Sequence, residues 1–316
     1  MKTEFAPIII FAYNRPEHTS ECILSLSKNE EFSNSKVFVY SDGPKNESDK
    51  TRVEAVRSSI ASLKFQNIEI IKSDCNKGLA NSVIEGVKQA IDEYERVIVL
   101  EDDLIVTKNF LKYMNSCLDK YNNQDNIMQI SGFGFPNSSI DTNNKYYFLP
   151  FITSWGWGTW KRAWDKYDKK LDGWQILLDN RKTRKKFDLD GNFPYTQMLV
   201  NQQNDKINSW AIKWYWSVFK ENGLVLYPSK SFVKNSGFDG TGVHCKVDKQ
   251  NDMNSTSMNE DLHFEFPQKI EISKKDYASV KLFLRYRNKY IKRELVKLNG
   301  EIKILVFKIK KLIGSR

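Results

Sequence analysis

A chain of 316 residues with 40% apolar and 13% aromatic residues, 15 Gly and 8 Pro can bury a large core, which excludes collagen-like, low-complexity and membrane-bundle classes. The net charge of +10 is local: residues 269–316 hold 15 Lys or Arg against 4 Asp or Glu, leaving the rest of the chain at about −1. A nucleic-acid groove across the main body is therefore excluded. A zinc ribbon and a disulfide scaffold are excluded too, because Cys22, Cys75, Cys117 and Cys245 lie far apart with no CxxC pair.

Ile8 to Ala12 reads as the first strand, and Pro16 opens an amphipathic helix through Leu26. Asn14 is positioned to cap that helix. Lys36 to Tyr40 follows as a second strand, closed by the turn residues Ser41-Asp42-Gly43-Pro44. The pattern repeats with a helix over Lys50 to Leu63, a strand at Ile68 to Ile71, a helix over Leu79 to Tyr94 and a strand at Arg96 to Leu100. Thr107 is placed to cap a helix over Asn109 to Tyr121, and Met128 to Gly132 reads as another strand. This alternation predicts an α/β fold with a mostly parallel, Rossmann-like sheet flanked by helices. Beyond residue 150 the pattern becomes irregular and holds all eight tryptophans. The expected division is therefore a domain over 1–268, with a nucleotide-binding half at 1–130 and an acceptor half at 131–268. A basic amphipathic helical tail follows at 269–316, helical from Ala278 to Ile313.

No apolar run reaches the roughly 20 residues of a spanning helix. Residues 1–11 lead into a strand rather than a signal sequence, so a cytoplasmic protein with reduced thiols is expected.

The apolar run Val97-Ile98-Val99-Leu100 turns abruptly acidic at Glu101-Asp102-Asp103. In open α/β sheets ligands bind at the carboxyl ends of the strands, and three adjacent carboxylates there call for compensating positive charge. A hard cation such as Mg²⁺ or Mn²⁺, bridging a diphosphate, needs only one or two of them. A solvated turn is the plain alternative. Asn14-Arg15-Pro16 and Ser41-Asp42-Gly43 end strands at the same edge, so Arg15 and Asp42 can converge on a nucleotide. Asn81 in Asn76-Lys77-Gly78-Leu79-Ala80-Asn81 is also available there. No GxGxxG follows the first strand and no GxxxxGK[ST] occurs anywhere, which disfavours dinucleotide dehydrogenases and P-loop enzymes.

In order and spacing, Ile9 to Pro16, Ser41 to Gly43, Asn76 to Asn81, Val99 to Leu104 and Ser154 to Trp160 resemble a GT-A fold glycosyltransferase. The resemblance covers roughly residues 5–245. It is nearest to the branch of the animal N-acetylglucosaminyltransferase that initiates complex N-glycans and to bacterial surface-polysaccharide enzymes. The resemblance implies a nucleotide-sugar donor, a UDP-sugar foremost, and a glycan or lipid-linked glycan acceptor. It makes Asp103 the metal ligand, puts Asp102 near the ribose and Glu101 on the donor side, and puts Arg15 and Asp42 at the uracil. Trp155, Gly156 and Trp157 fall where donor sugar and acceptor meet, although tryptophans also fill cores. The family's general base lies in a segment that corresponds to Asn208 to Trp214, which has no carboxylate. Asp205 is nearby in sequence, and Asp239 in the Gly-rich stretch Gly237 to His244 is the candidate base. His244 is a candidate second metal or phosphate contact.

The tail joins Lys and Arg to apolar positions such as Leu284, Leu295 and Leu298, a composition that suits an anionic membrane surface as well as a solvated face. Two rival functions remain open. A sugar-1-phosphate nucleotidyltransferase usually has a Gly-rich basic loop after the first strand, which Asn14-Arg15-Pro16 is not. A non-catalytic membrane or nucleic-acid module rests on net charge alone.

Overall fold

The computed structural model describes residues 5–136, 145–239, 258–289, 300 and 304. The first half follows the alternation read from the sequence. β1 (Ile8–Ala12), α1 (Pro16–Leu26), β2 (Val37–Ser41), α2 (Glu47–Ser62), β3 (Ile68–Lys72), α3 (Leu79–Tyr94) and β4 (Arg96–Glu101) succeed one another. Two expected caps are corrected. Arg15, not Asn14, occupies the position before α1, while Asn14 Nδ2 donates to Asp49 Oδ1 at 3.4 Å. α2 starts three residues earlier than expected because the Asn46 side chain accepts from Asp49 N at 3.1 Å.

Next come β5 (Leu104–Val106), α4 (Phe110–Lys120), β6 (Ile127–Ser131), β7 (Tyr146–Leu149) and β8 (Trp157–Trp160). Thr107 does not cap α4: Asn109 holds the N-cap position, and the buried Thr107 hydroxyl has no partner among the described residues. Short helices α5 (Lys161–Trp164), α6 (Ile176–Asp179) and α7 (Arg181–Phe187) lead to α8 (Tyr195–Gln203) and α9 (Trp210–Lys220). β9 (Leu224–Pro228), β10 (Val233–Asn235) and α10 (Lys274–Lys289) complete the described elements.

Eight strands form one sheet in the order β3-β2-β1-β4-β8-β6-β9-β7. β1 to β4 run parallel, and β8 enters antiparallel to both β4 and β6. β4 thus lies in the interior, and its residues Val97 to Leu100 are fully buried, as a strand covered on both faces requires. A separate antiparallel ribbon pairs β10 with β5 directly after the acidic triplet, with Asn235 opposite Leu104. That ribbon brings the far end of the chain to the end of β4.

The aromatic half packs as core. Trp157 stacks on Trp210 with ring centres 5.0 Å apart, and Trp164 meets Trp214 at 4.9 Å. Trp214 Nε1 donates to Gln129 Oε1 at 2.8 Å, so the buried indole N–H is satisfied.

The packing does not break at residue 268. Ile272 bridges Phe148, Val280 and Leu284 are buried, and Phe283 touches the Phe135 ring at 6.0 Å. α10 also begins four residues before the expected Ala278, where Asp276 N donates to Ser273 Oγ at 3.3 Å. Most of the expected tail helix beyond Lys289 lies outside the described residues. Among the described residues no helix is long and apolar enough to cross a membrane.

Candidate active site

Glu101 ends β4, and the next two residues turn into β5, so the three carboxylates crowd the carboxyl end of an interior strand. Asp102 N donates to Phe11 O at 3.1 Å, which ties the turn to β1. Asp102 and Asp103 are 3% and 5% exposed, deep enough that their charge needs a partner. Arg15, the residue just before α1, supplies one. Its Nη2 donates to Asp102 Oδ1 and, at 3.1 Å, to Asp103 Oδ2.

One guanidinium does not balance three carboxylates. Burial pushes the Asp102 carboxyl up to about 6 even though Arg15 pulls it down. Burial and the charges of Asp103 and Asp102 likewise raise Glu101 well above the ordinary carboxylate range. Burial opposes the charge on Arg15, yet Asp102 and Asp103 outweigh it and strengthen its hold on the proton. Among the described residues the buried Arg15 Nη1 has no partner, so one edge of the guanidinium remains unused there.

The opposite wall comes from Asn235 and Ser236, which the sequence did not single out, together with Gly237. Asn235 Nδ2 donates to Asp103 Oδ1 at 3.4 Å, and Asn235 Oδ1 accepts from Gly237 N at 2.7 Å. Ser236 N donates to Asp103 O at 2.8 Å and Ser236 Oγ does so at 3.0 Å. A Cβ on Gly237 would lie 2.4 Å from Asp103 Oδ2, so only glycine allows this approach. The one sequence signal is the Gly-rich stretch beginning at Gly237, singled out for Asp239 rather than for the missing side chain at Gly237.

The expected meeting of Arg15 and Asp42 on one ligand is replaced by two networks. Asp42 Oδ1 accepts from Gly43 N and Lys77 N, each at 2.9 Å. Its Oδ2 accepts from Gly78 N at 2.9 Å and Asn76 Nδ2 at 3.1 Å. With four donors its acceptor capacity is filled, so Asp42 builds the loop beside the site and has no lone pair left for a base. Asp42→Ala leaves three backbone N–H groups of that loop without their acceptor. It is expected to cost about 3 kcal/mol or more of stability in thermal unfolding; an unchanged melting curve would refute this role. Asn81 stands exposed on the first turn of α3, with Nδ2 donating to Lys77 O at 2.8 Å.

The Trp-Gly segment divides. Trp155 is half-buried and meets Phe133 at 4.9 Å and Phe238 at 5.7 Å, beside Gly237. Trp157 is 1% exposed and Gly156, with φ +59°, has Val233 and Phe110 where a side chain would be. Gly156 and Trp157 are therefore core residues, which corrects their expected place on a sugar. Asp205 is exposed in the turn after α8, and the stretch Asn208 to Trp214 forms the start of α9. Asp239 ends the short turn Gly237–Asp239, and its side chain, like all of His244, lies outside the described residues.

Among the described residues no three His, Cys, Asp or Glu side chains form a metal cage. A cation that takes one or two carboxylates and completes its shell with phosphate and water requires none. The residues fit such an ion: the acids at the end of β4 exceed the one guanidinium that pairs with them.

No curated protein sequence matches the chain. Among solved structures, TarS 1-349 from S. aureus is similar at 13% identity and TM-score 0.40, over 73% of this chain and 60% of that one. GalNAc-T7 with UDP, GalNAc and Mn²⁺ aligns at 11% identity and TM-score 0.46, over 74% of this chain and 44% of the other. The mannosyltransferase PcManGT from Pyrobaculum calidifontis, in complex with GDP-Man and Mn²⁺, aligns at 10% identity and TM-score 0.40, over 69% and 73%. The chain thus spans less than two thirds of the TarS and GalNAc-T7 chains. The sequence profile of glycosyl transferase family 2 matches residues 8–194, the whole stretch from β1 to the threshold of α8. A match over more than half of the chain, on a sheet of GT-A type, places this protein in glycosyl transferase family 2 as a glycosyltransferase.

Proposed function

We propose that this glycosyltransferase is a divalent-metal-dependent, inverting enzyme. It moves a sugar from a UDP-sugar to a glycan acceptor, free or lipid-linked, in bacterial surface polysaccharide synthesis. The observation that carries the metal reading is the excess of buried carboxylate over guanidinium at the end of β4. The UDP donor and the polysaccharide role follow the motif resemblance of Ile9 to Pro16 and Ser154 to Trp160.

Asp103 would hold the ion, Mn²⁺ or Mg²⁺, with Asp102 and Glu101 beside it and His244 as a further contact. The bound ion would stabilise the negative charge that gathers on the departing diphosphate. Arg15 is free to turn its unused Nη1 face to that diphosphate. Asp239, two residues past the Gly237 contact with Asp103, is the proposed base that takes the acceptor hydroxyl proton. The hydroxyl then attacks the anomeric carbon opposite the leaving group, which inverts its configuration. Trp155 stands by the same turn as a flat apolar surface for a sugar ring. The basic tail would hold the enzyme at an anionic membrane surface.

Incubation with a panel of nucleotide sugars tests the reading. Slow release of UDP is expected from the true donor with Mn²⁺ present, falling at least a hundredfold with EDTA and restored by added metal. Turnover that is indifferent to EDTA, or consumption of a nucleoside triphosphate with a sugar phosphate, would overturn it.

A further inference from the structure

Well away in sequence from the acidic triplet, a surface pocket of about 670 Å³ opens between α6, α7 and α9. Lys182, Lys185, Lys186 and Lys220 line it around Trp216 and Phe219. We propose that this pocket is a second binding site, for the phosphate headgroups of an anionic lipid surface. The proposal goes beyond glycosyl transfer and does not depend on which donor or base the enzyme uses.

The local electrostatics favour a ligand. Lys182, Lys185 and Lys186 stand at i, i+3 and i+4, on one face of α7, where like charges repel. The first turn of α7 has no acidic residue and begins Arg181-Lys182, so these two cations oppose the helix dipole, whereas Lys185 and Lys186 lie in the last turn, where it favours them. Among the described residues Lys182 and Lys185 make no ion pair. Lys186 Nζ donates to the neutral Asn222 Oδ1, at 3.1 Å. Among the described lining residues the one acid, Asp190, accepts from Lys281 at 2.6 Å, and Lys220 donates to Asp168. An anion seated among these lysines would relieve the crowding of like charge on that face.

Two features favour a lipid headgroup over a free phosphate. Ile176 lies in the pocket lining and is 47% exposed, an apolar side chain that a small hydrated anion would not use. Lys281 belongs to α10, the start of the strongly basic segment, and its ion pair with Asp190 sets that helix against the pocket's rim. The two basic surfaces are therefore adjoining, and both suit one anionic plane.

The test uses the full chain and sedimentation with vesicles, of phosphatidylcholine alone or with about one third phosphatidylglycerol, near 0.1 M salt. The intact protein is expected to bind the anionic vesicles and not the neutral ones. Lys182→Ala/Lys185→Ala/Lys186→Ala should weaken that binding roughly a hundredfold, and Ile176→Ser roughly fivefold. The triple variant should melt close to the parent, because relieved repulsion within α7 offsets the loss of two last-turn cations, and donor hydrolysis should be unchanged. Wild-type affinity of the triple variant for anionic vesicles would overturn the proposal. So would calorimetric binding of inorganic phosphate that needs the three lysines in a protein that ignores vesicles.

Discussion

Asp103→Ala is expected to reduce donor turnover about a thousandfold or more while leaving the protein as stable as before, or more so. The first half follows, on the proposed metal dependence, from losing the ion that would hold the leaving diphosphate, a contribution of several kcal/mol, since about 1.4 kcal/mol corresponds to each factor of ten. The second half follows from the charge balance. Asp103 is one of three carboxylates that repel each other in a buried place, and Arg15 keeps Asp102 when Asp103 is gone. A residue retained for structure would show the reverse, with stability falling and turnover little changed. Calorimetric titration with Mn²⁺ and a melting curve on the same preparation separate the two cases. Turnover within tenfold of the parent would remove Asp103 from the reaction.

Gly237→Ala should be nearly as damaging, through geometry rather than charge. The added methyl would lie 2.4 Å from Asp103 Oδ2 and 3.1 Å from Arg15 Nη1. Asp103 has little room to yield, because Arg15, Asn235 and Ser236 all hold it. Displacement of about 1 Å at a reacting centre costs on the order of a hundredfold in rate, and overpacking costs about 1–3 kcal/mol of stability. The expected result is a variant that still folds, binds Mn²⁺ more weakly and turns over at about one hundredth of the parent rate. Full activity would mean that the ribbon end can move aside freely.

These two residues differ in how far the sequence reveals them. Asp103 was legible because an apolar strand between two helical periods ends in acid, and strand ends on one edge of a parallel sheet face the same way. β1 to β4 were legible for the same reason, with α2 misplaced only because Asn46 caps earlier than composition implies. Gly237 and Asn235 were not. They reach Asp103 through a ribbon of two three-residue strands, with 132 positions separating Asn235 from Asp103, and no local period encodes such a pairing. The Trp-Gly alternation misled for a different reason. Trp155 and Trp157 lie two positions apart, yet one is half-buried and the other buried, because burial there is set by residues from elsewhere in the chain, such as Val233 and Phe110 against Gly156. Arg15 was placed correctly at the sheet edge, yet its bond to Asp102 depends on relative burial, which sequence distance does not convey.

The ribbon of β5 and β10 has a thermodynamic corollary. It fastens the carboxylate that would grip the ion to the strand that continues through Gly237 and Asp239 into the rest of the chain. Filling the carboxylates and setting the posture of that continuing chain then become linked equilibria. Whatever free energy the ion lends to one arrangement of the chain, that arrangement returns in full to the ion.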